Sequence, residues 1–305
     1  MTSEKKGTTA PSSCPVCGGD TRFAYVARDL NRHIAETRFH YLRCTVCGVL
    51  FLSDAPSDLS LYYPGSYYPV HATVDDLRVA SRFEQYKLDF VRRTHRSGRL
   101  LEIGPGGGGF ALLASEAGFA VSVLEMPGPN ASWIGDQLDV SVHVAEDPLS
   151  ALPSLGTFDV IALWHSWEHL RDPWGVLECA AGALSEGGSL IIASPNPTSL
   201  QLGIFGARWT HLDAPRHLLL SPPAVIVLAA AQHGLRLDHL DMADRSARGW
   251  NRFGWEQSLG NLSRILAVSL LLRRIGTCIA RVLKNVETRA ARASTYTLIL
   301  RREAQ

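Results

Sequence analysis

Three groups of side chains in this chain have the types and spacing to do chemistry. The first lies in Arg99-Leu-Leu-Glu-Ile-Gly-Pro-Gly-Gly-Gly-Gly-Phe110, where an apolar run meets Glu102 and then glycines at 104, 106, 107, 108 and 109. Glycine lets a backbone turn tightly and approach a ligand with no Cβ in the way, and so many in one turn cost more chain entropy than an ordinary loop warrants. The expectation is a strand–turn–helix that cradles a nucleoside-containing cofactor. Glu125, about 20 residues further on, is then placed to bind ribose hydroxyls. The second group is Cys14-Pro-Val-Cys17 and Cys44-Thr-Val-Cys47, each pair followed by glycine. Two such turns can direct four thiolates at one tetrahedral Zn²⁺, and a closed set of four cysteines leaves no open position for catalysis. The third is histidine, at His165, His169, His211 and His217. Imidazole moves protons near neutral pH.

The glycine spacing alone fits two cofactors. Gly104, Gly106 and Gly109 satisfy G-x-G-x-x-G, the dinucleotide fingerprint. Glu102, Gly104, Gly106 and Gly108 satisfy E-x-G-x-G-x-G, a pattern of S-adenosylmethionine enzymes.

The elements that must position these groups are legible as a rhythm. From Arg99, apolar runs at 100–103, 120–124, 140–144, 158–163, 189–193, 235–240 and 296–300 alternate with helical segments such as 173–184 and 222–233. Such alternation predicts an α/β fold with a doubly wound, mainly parallel sheet. Ahead of it, 22–26 and 38–42 read as short strands between the cysteine pairs, making 13–52 a zinc ribbon. Residues 53–98 read as a Tyr/Pro-rich connector followed by one helix over 77–94, with Leu77, Phe83, Tyr86 and Phe90 facing inward. The four connector tyrosines suit either the cover of a substrate pocket or a plain packed linker. The core is expected over 99–242, with 294–305 returning as its final strand. The insertion at 243–293 is one or two helices, apolar with a basic face over 265–283. It fits a lid on the core, a helix lying on a membrane surface, or a dimer face.

Composition sets outer bounds. The 305 residues are 46 % apolar and 19 % charged, and 30 basic against 29 acidic residues leave a net charge of +1. No bulk electrostatic drive toward nucleic acid follows from that balance. Residues 1–12 are polar and read as a disordered tail rather than a signal peptide, which points to the cytoplasm. In that reducing compartment paired cysteines more often hold metal than form disulfides. No apolar run of ~20 residues is available to span a bilayer.

Further segments follow in a telling order: Glu146-Asp147, then Phe158-Asp-Val-Ile-Ala-Leu-Trp-His-Ser-Trp-Glu-His-Leu-Arg-Asp-Pro-Trp174, then Leu184-Ser-Glu-Gly-Gly-Ser-Leu-Ile-Ile-Ala-Ser-Pro-Asn196, and last Tyr296-Thr-Leu-Ile-Leu-Arg-Arg302. Taken together they resemble the class I S-adenosylmethionine-dependent methyltransferases, in the small-molecule branch that carries Glu-His-Leu-x-Asp-Pro after its fourth strand. The resemblance covers 99–242 and 294–302. It implies a seven-stranded Rossmann-like sheet whose last strand is antiparallel, with S-adenosylmethionine at the strands' carboxyl ends. It further implies that Glu102, Gly104, Gly106 and Gly108 hold the methionine end and Glu125 the ribose. Met126 and Asp147 would stand at the adenine, and Trp164 and His165 would face cofactor and substrate.

The segment Phe205–Ser221, with Trp209, Pro215, Arg216, His217 and Leu218, is similar to the family's acceptor-facing segment after strand five. The implied partner is a small methyl acceptor: a sugar, a glycolipid or a natural-product intermediate. Oxygen is favoured over nitrogen or carbon as the acceptor atom. His165, His169 and His217 are the candidates for removing its proton. Plainer roles are open to two of them: His169 can tie a helix start to the sheet, and His217, after Arg216, can bind an anion or cap a loop. Three rival functions stand beside this reading. A nicotinamide dehydrogenase would need a second nucleotide half that does not follow. An RNA or DNA methyltransferase could use the ribbon to bind substrate, but the strand-four loop lacks a Pro-Pro-aromatic signature. A non-catalytic interaction protein of the same fold would bind no S-adenosylmethionine.

Overall fold

The computed structural model describes residues 13–63, 70–289 and 291–303. The expected tail at 1–12 and the connector tyrosines Tyr67 and Tyr68 lie outside the described residues. In chain order the strands are β1 (Thr21–Ala27), β2 (Phe39–Cys44), β3 (Leu50–Leu52), β4 (Gly98–Ile103), β5 (Phe119–Glu125), β6 (Ser141–Val144), β7 (Phe158–Trp164), β8 (Leu184–Pro195), β9 (Leu219–Leu220), β10 (Leu235–Asp241) and β11 (Thr295–Arg302). The helices are α1 (Val74–Ser81), α2 (Gln85–Val91), α3 (Gly109–Glu116), α4 (Pro129–Gln137), α5 (Pro148–Ala151), α6 (Pro173–Ala183), α7 (Leu200–Phe205), α8 (Pro223–Gln232), α9 (Arg245–Gly260) and α10 (Leu266–Arg289). The chain divides into two compact units. One takes the chain up to Tyr62 with Pro195–Val225 and Asn251–Ser294, and the other Tyr63–Ser194, Ile226–Trp250 and the chain from Thr295.

The second unit holds a seven-stranded sheet in the order β10-β11-β8-β7-β4-β5-β6. The pairs β4–β5, β4–β7, β5–β6 and β7–β8 are parallel, and β10–β11 is antiparallel. Its inner strands are largely apolar because both faces are covered, whereas the edge strands β6 and β10 are exposed or half-buried along most of their length. Leu101, Ile161, Leu163, Leu190, Ile192 and Leu298 pack into one core, while their chain neighbours Leu100, Val160, Ala162, Ile191 and Ile299 pack into the other. Successive side chains of a strand point to opposite faces, so a sheet buried on both sides needs no polar alternation. Each such side chain stabilises the fold by roughly 1.5–3 kcal/mol through burial. From β4 the chain moves outward through β5 to β6, then returns to β7 on the other side of β4. That reversal opens a crevice beyond the carboxyl ends of β4 and β7.

One expected helix is broken. Residues 77–94 form α1, a 3-10 turn at Arg82–Glu84, and α2. The tighter turn shifts the buried face, so Phe83, expected inside, is 76 % exposed, and Leu88 and Val91 are buried in its place.

The first unit is built on a four-stranded antiparallel sheet, β1-β2-β3-β9. The 13–52 ribbon therefore does not close on itself. Leu219 and Leu220, expected within the 99–242 core, pair with Phe51 and Leu50. The reason is area: Phe39, Tyr41, Leu50 and Leu52 form an apolar face that a three-stranded ribbon cannot cover, and Leu202, Trp209, Leu212 and Leu218 complete that core. The insertion resolves into two helices, α9 and α10.

Candidate functional site

The glycine loop leaves β4 at the crevice. Gly104, Gly106 and Gly108 all have positive φ, at 75°, 56° and 80°. Two of them also lack room for a side chain. A Cβ on Gly104 would lie 2.8 Å from Ser166 Cβ, and one on Gly108 would lie 2.9 Å from Ile134 Cγ1. Conformation and space together exclude any other residue there. Ser166, just past β7, closes the crevice from its far side by donating from Oγ to the Ile103 carbonyl at 2.7 Å.

Glu125 ends β5 beside this loop. Its Oε2 accepts from the Gly106 amide at 3.0 Å and its Oε1 from the Met126 amide at 2.8 Å. The carboxylate is thus fixed in place by the loop while keeping lone pairs for other donors. Burial raises its carboxyl above the usual range, and the two amide bonds pull the other way. Glu102, on β4, is 1 % exposed, and burial pushes its carboxyl up to about 8. Its Oε2 is buried and accepts no hydrogen bond within the protein. A buried acceptor without a donor is uncommon in a folded chain and marks a place where a ligand donor belongs.

Sequence reasoning missed Lys87. Its ammonium pairs with Glu84 at 2.6 Å and lies 5.9 and 5.7 Å from the ring centres of Phe110 and Trp164. Burial opposes that charge, but Glu84, Tyr86 and Glu102 together hold the ammonium above its ordinary value. The only signal was a lysine among the apolar residues of α2. The break between α1 and α2 hid its inward position.

The other expected residues fall in different surroundings. Trp164 is buried edge-on to Phe110 and Tyr86, within one core of the sheet. Met126 is 51 % exposed beside Glu125. Asp147, after β6, caps α5 by accepting from the Leu149 amide at 3.0 Å.

His165 follows β7 with a φ of 56°, a strained value for a non-glycine residue, costing on the order of 1–3 kcal/mol. Its amide donates to the Ala193 carbonyl at 2.9 Å, its Nδ1 lies 3.6 Å from Glu168 Oε1, and its ring stacks at a tilt on Trp250 at 5.0 Å. Asp244 accepts from the first amides of α9, those of Ser246 and Ala247, at 2.6 and 3.1 Å, and burial raises its carboxyl above the usual range while these bonds pull the other way. Neither Trp250 nor Asp244 was legible as a site residue, because both belong to the start of the insertion. His169 bonds through Nδ1 to the Tyr63 hydroxyl at 2.7 Å.

His211 and His217 belong to the first unit. His217 Nδ1 bonds to the His211 carbonyl at 2.8 Å, and His211 packs edge-on against Trp209. Arg216, considered with His217 for binding an anion, is fully buried and committed elsewhere. It meets Asp29 at 2.6 Å and Asp213 at 2.7 and 2.8 Å. Burial would raise Asp213, but these bonds hold its carboxyl down to about 2.

The four cysteines of the first unit converge. All their sulfurs lie within 4.8 Å of one another, with Cys14–Cys47 at 3.7 Å and Cys17–Cys44 at 3.5 Å. A tetrahedron of Zn–S bonds of ~2.3 Å has edges of ~3.8 Å, so this donor set fits zinc. The Val16 amide donates to Cys14 Sγ at 3.4 Å, and the Val46 amide to Cys44 Sγ at 3.3 Å. Such bonds favour the thiolate that a metal requires.

A family model described as a methyltransferase domain matches residues 76–240. The chain belongs to this methyltransferase family. The sheet order is that of the class I fold whose cofactor is S-adenosylmethionine. A solved S-adenosylmethionine-dependent methyltransferase from Archaeoglobus fulgidus aligns over 73 % of this chain and 94 % of its own, at 20 % identity and a TM-score of 0.50; that likeness shows the fold. Among curated relatives, a ubiquinone biosynthesis O-methyltransferase from Xylella fastidiosa (strain M23) is 29 % identical over 135 residues, 40 % of this chain and 54 % of that protein. Another of that name from Caulobacter sp. (strain K31) is 31 % identical over 157 residues, 48 % of this chain and 62 % of that protein. The chain thus spans about half the length of the first of these relatives.

Proposed function

We propose that this protein transfers a methyl group from S-adenosylmethionine to a hydroxyl of a small molecule. The observation that carries the reading is the carboxylate of Glu125, fixed by the amides of Gly106 and Met126 beside three left-handed glycines. Glu125 would accept from the two ribose hydroxyls. The orphaned Oε2 of Glu102 would accept from the ammonium of the methionine end. Met126 and Asp147, beyond β5 and β6, are assigned to the adenine. Trp164 acts as a packed wall behind the loop through Phe110. When bound, S-adenosylmethionine supplies a methyl group on a cationic sulfonium, which needs an aligned nucleophile rather than further activation.

His165 is assigned the proton. Its ring at the end of β7, near Glu168 and against Trp250, would take a hydroxyl proton as the oxygen attacks. His169 and His217 are held by Tyr63 and by the His211 carbonyl, which suits positioning more than proton transfer. Oxygen as acceptor also agrees with the names of the curated relatives. The cysteine cluster is assigned a structural zinc, and the near-zero net charge argues against nucleic acid as substrate.

The test is methyl transfer from isotope-labelled S-adenosylmethionine to a panel of phenols, catechols and sugars, read by mass spectrometry. The expected result is an O-methylated product whose rate falls roughly 100-fold or more in His165→Ala while cofactor affinity is kept. An unchanged rate in that variant would remove His165 from the proton step.

A further inference from the structure

The longest helix of the first unit, α10, has two unlike sides. One is seated on α9. A Cβ on Gly276 would lie 2.7 Å from the Trp255 carbonyl oxygen and 2.8 Å from Glu256 Cα, so the two backbones touch there. Thr277 donates to Glu256 at 2.6 Å, and Trp255 Nε1 donates to Glu287 at 3.0 Å. The side turned away carries Val268, Leu271, Ile275, Val282 and Val286, all exposed, with Leu271 at 58 % and Val282 at 76 %. Steps of three, four and seven residues put these on one stripe of a helix. Arg274 and Arg281, seven residues apart, form an exposed row beside the stripe, and the exposed Lys284 adds to the charge. No acidic residue occurs from Arg264 to Val286.

We infer that α10 is a docking surface for an anionic lipid bilayer, lying in the plane of the interface with its apolar stripe in the acyl boundary. Large exposed apolar patches on a folded chain mark interaction sites. The flanking charge selects the occupant. A second copy of this chain would lay arginine rows against arginine rows with no acid on the stripe to answer them, which disfavours self-pairing. An anionic headgroup layer answers Arg274, Arg281 and Lys284. No described helix is long and apolar enough to cross a membrane, so the contact is interfacial.

The experiment is vesicle flotation of the full chain. Vesicles of phosphatidylcholine with phosphatidylglycerol are compared with phosphatidylcholine alone, at low and high salt. The protein should float with the anionic vesicles and lose most of that binding in high salt. Leu271→Asp with Ile275→Asp, and separately Arg274→Gln with Arg281→Gln, should each weaken partition roughly tenfold or more. Both should melt at the wild-type temperature, since the altered side chains are exposed. Failure of the wild type to float, or variants that float as well as it does, would overturn the inference. So would stripe variants that turn a dimer into a monomer in gel filtration, because the occupant would then be a second copy.

Discussion

Glu102 is the residue at which folding and ligand binding oppose each other. Its carboxyl sits at about 8 in the fold, against an ordinary value of ~4.3 in an unfolded chain. The native state therefore holds that proton more tightly, and stability linked to Glu102 is full at acid pH. It is lost progressively as pH rises from ~4.3 to about 8. Glu102→Gln should leave the melting temperature of the cofactor-free protein unchanged near the low end of that window. At its high end the variant should melt several degrees higher, at roughly 2–4 °C per kcal/mol. The same change should weaken S-adenosylmethionine binding, because a neutral amide answers an ammonium poorly. A melting difference that does not grow with pH would show that the carboxylate costs the fold nothing. Arg216 makes the opposite case, a charge whose use is structural. Arg216→Gln strands Asp29 and Asp213, so urea unfolding should report a loss of about 3–5 kcal/mol.

At the scale of elements, the two units rest on different devices. The seven-stranded sheet is held by two apolar cores, whereas the four-stranded sheet has a small core and four converging cysteines. Cys44→Ser should abolish the zinc measured by elemental analysis and destabilise β1–β3, because metal affinity and folding of such a site are linked. A variant that keeps stoichiometric zinc would contradict the assignment. The β4–β8 strands and the glycine loop were readable in the sequence because apolar periodicity and glycine chemistry are local signals. The two-residue strand β9 was not: its partner, β3, lies far away in the chain, and only the shared burial of Leu220 with Leu50 explains the pairing. Phe83 was misplaced for a related reason, since a 3-10 turn resets the period on which its assignment rested. Asp244 left no local pattern, and Lys87 only its place among the apolar residues of α2. A charged side chain declares its role only once folding shows what it faces.

For the whole molecule, a net charge of +1 conceals an uneven distribution, with an acid-free basic stretch on α10 and acidic side chains around the glycine loop. The first suits a charged surface and the second a cationic cofactor. Binding of that cofactor through Glu125 is the central step of the proposed function. The most direct test is calorimetric titration of S-adenosylmethionine into wild type and Glu125→Ala, repeated across pH. The wild type should bind one equivalent. Binding should weaken as acid protonates Glu125, at a pH above that expected of an ordinary carboxylate. The alanine variant should lose roughly 1–3 kcal/mol of affinity, about tenfold or more, together with that acid dependence. Equal affinity in the two proteins, or no heat of binding in the wild type, would contradict it.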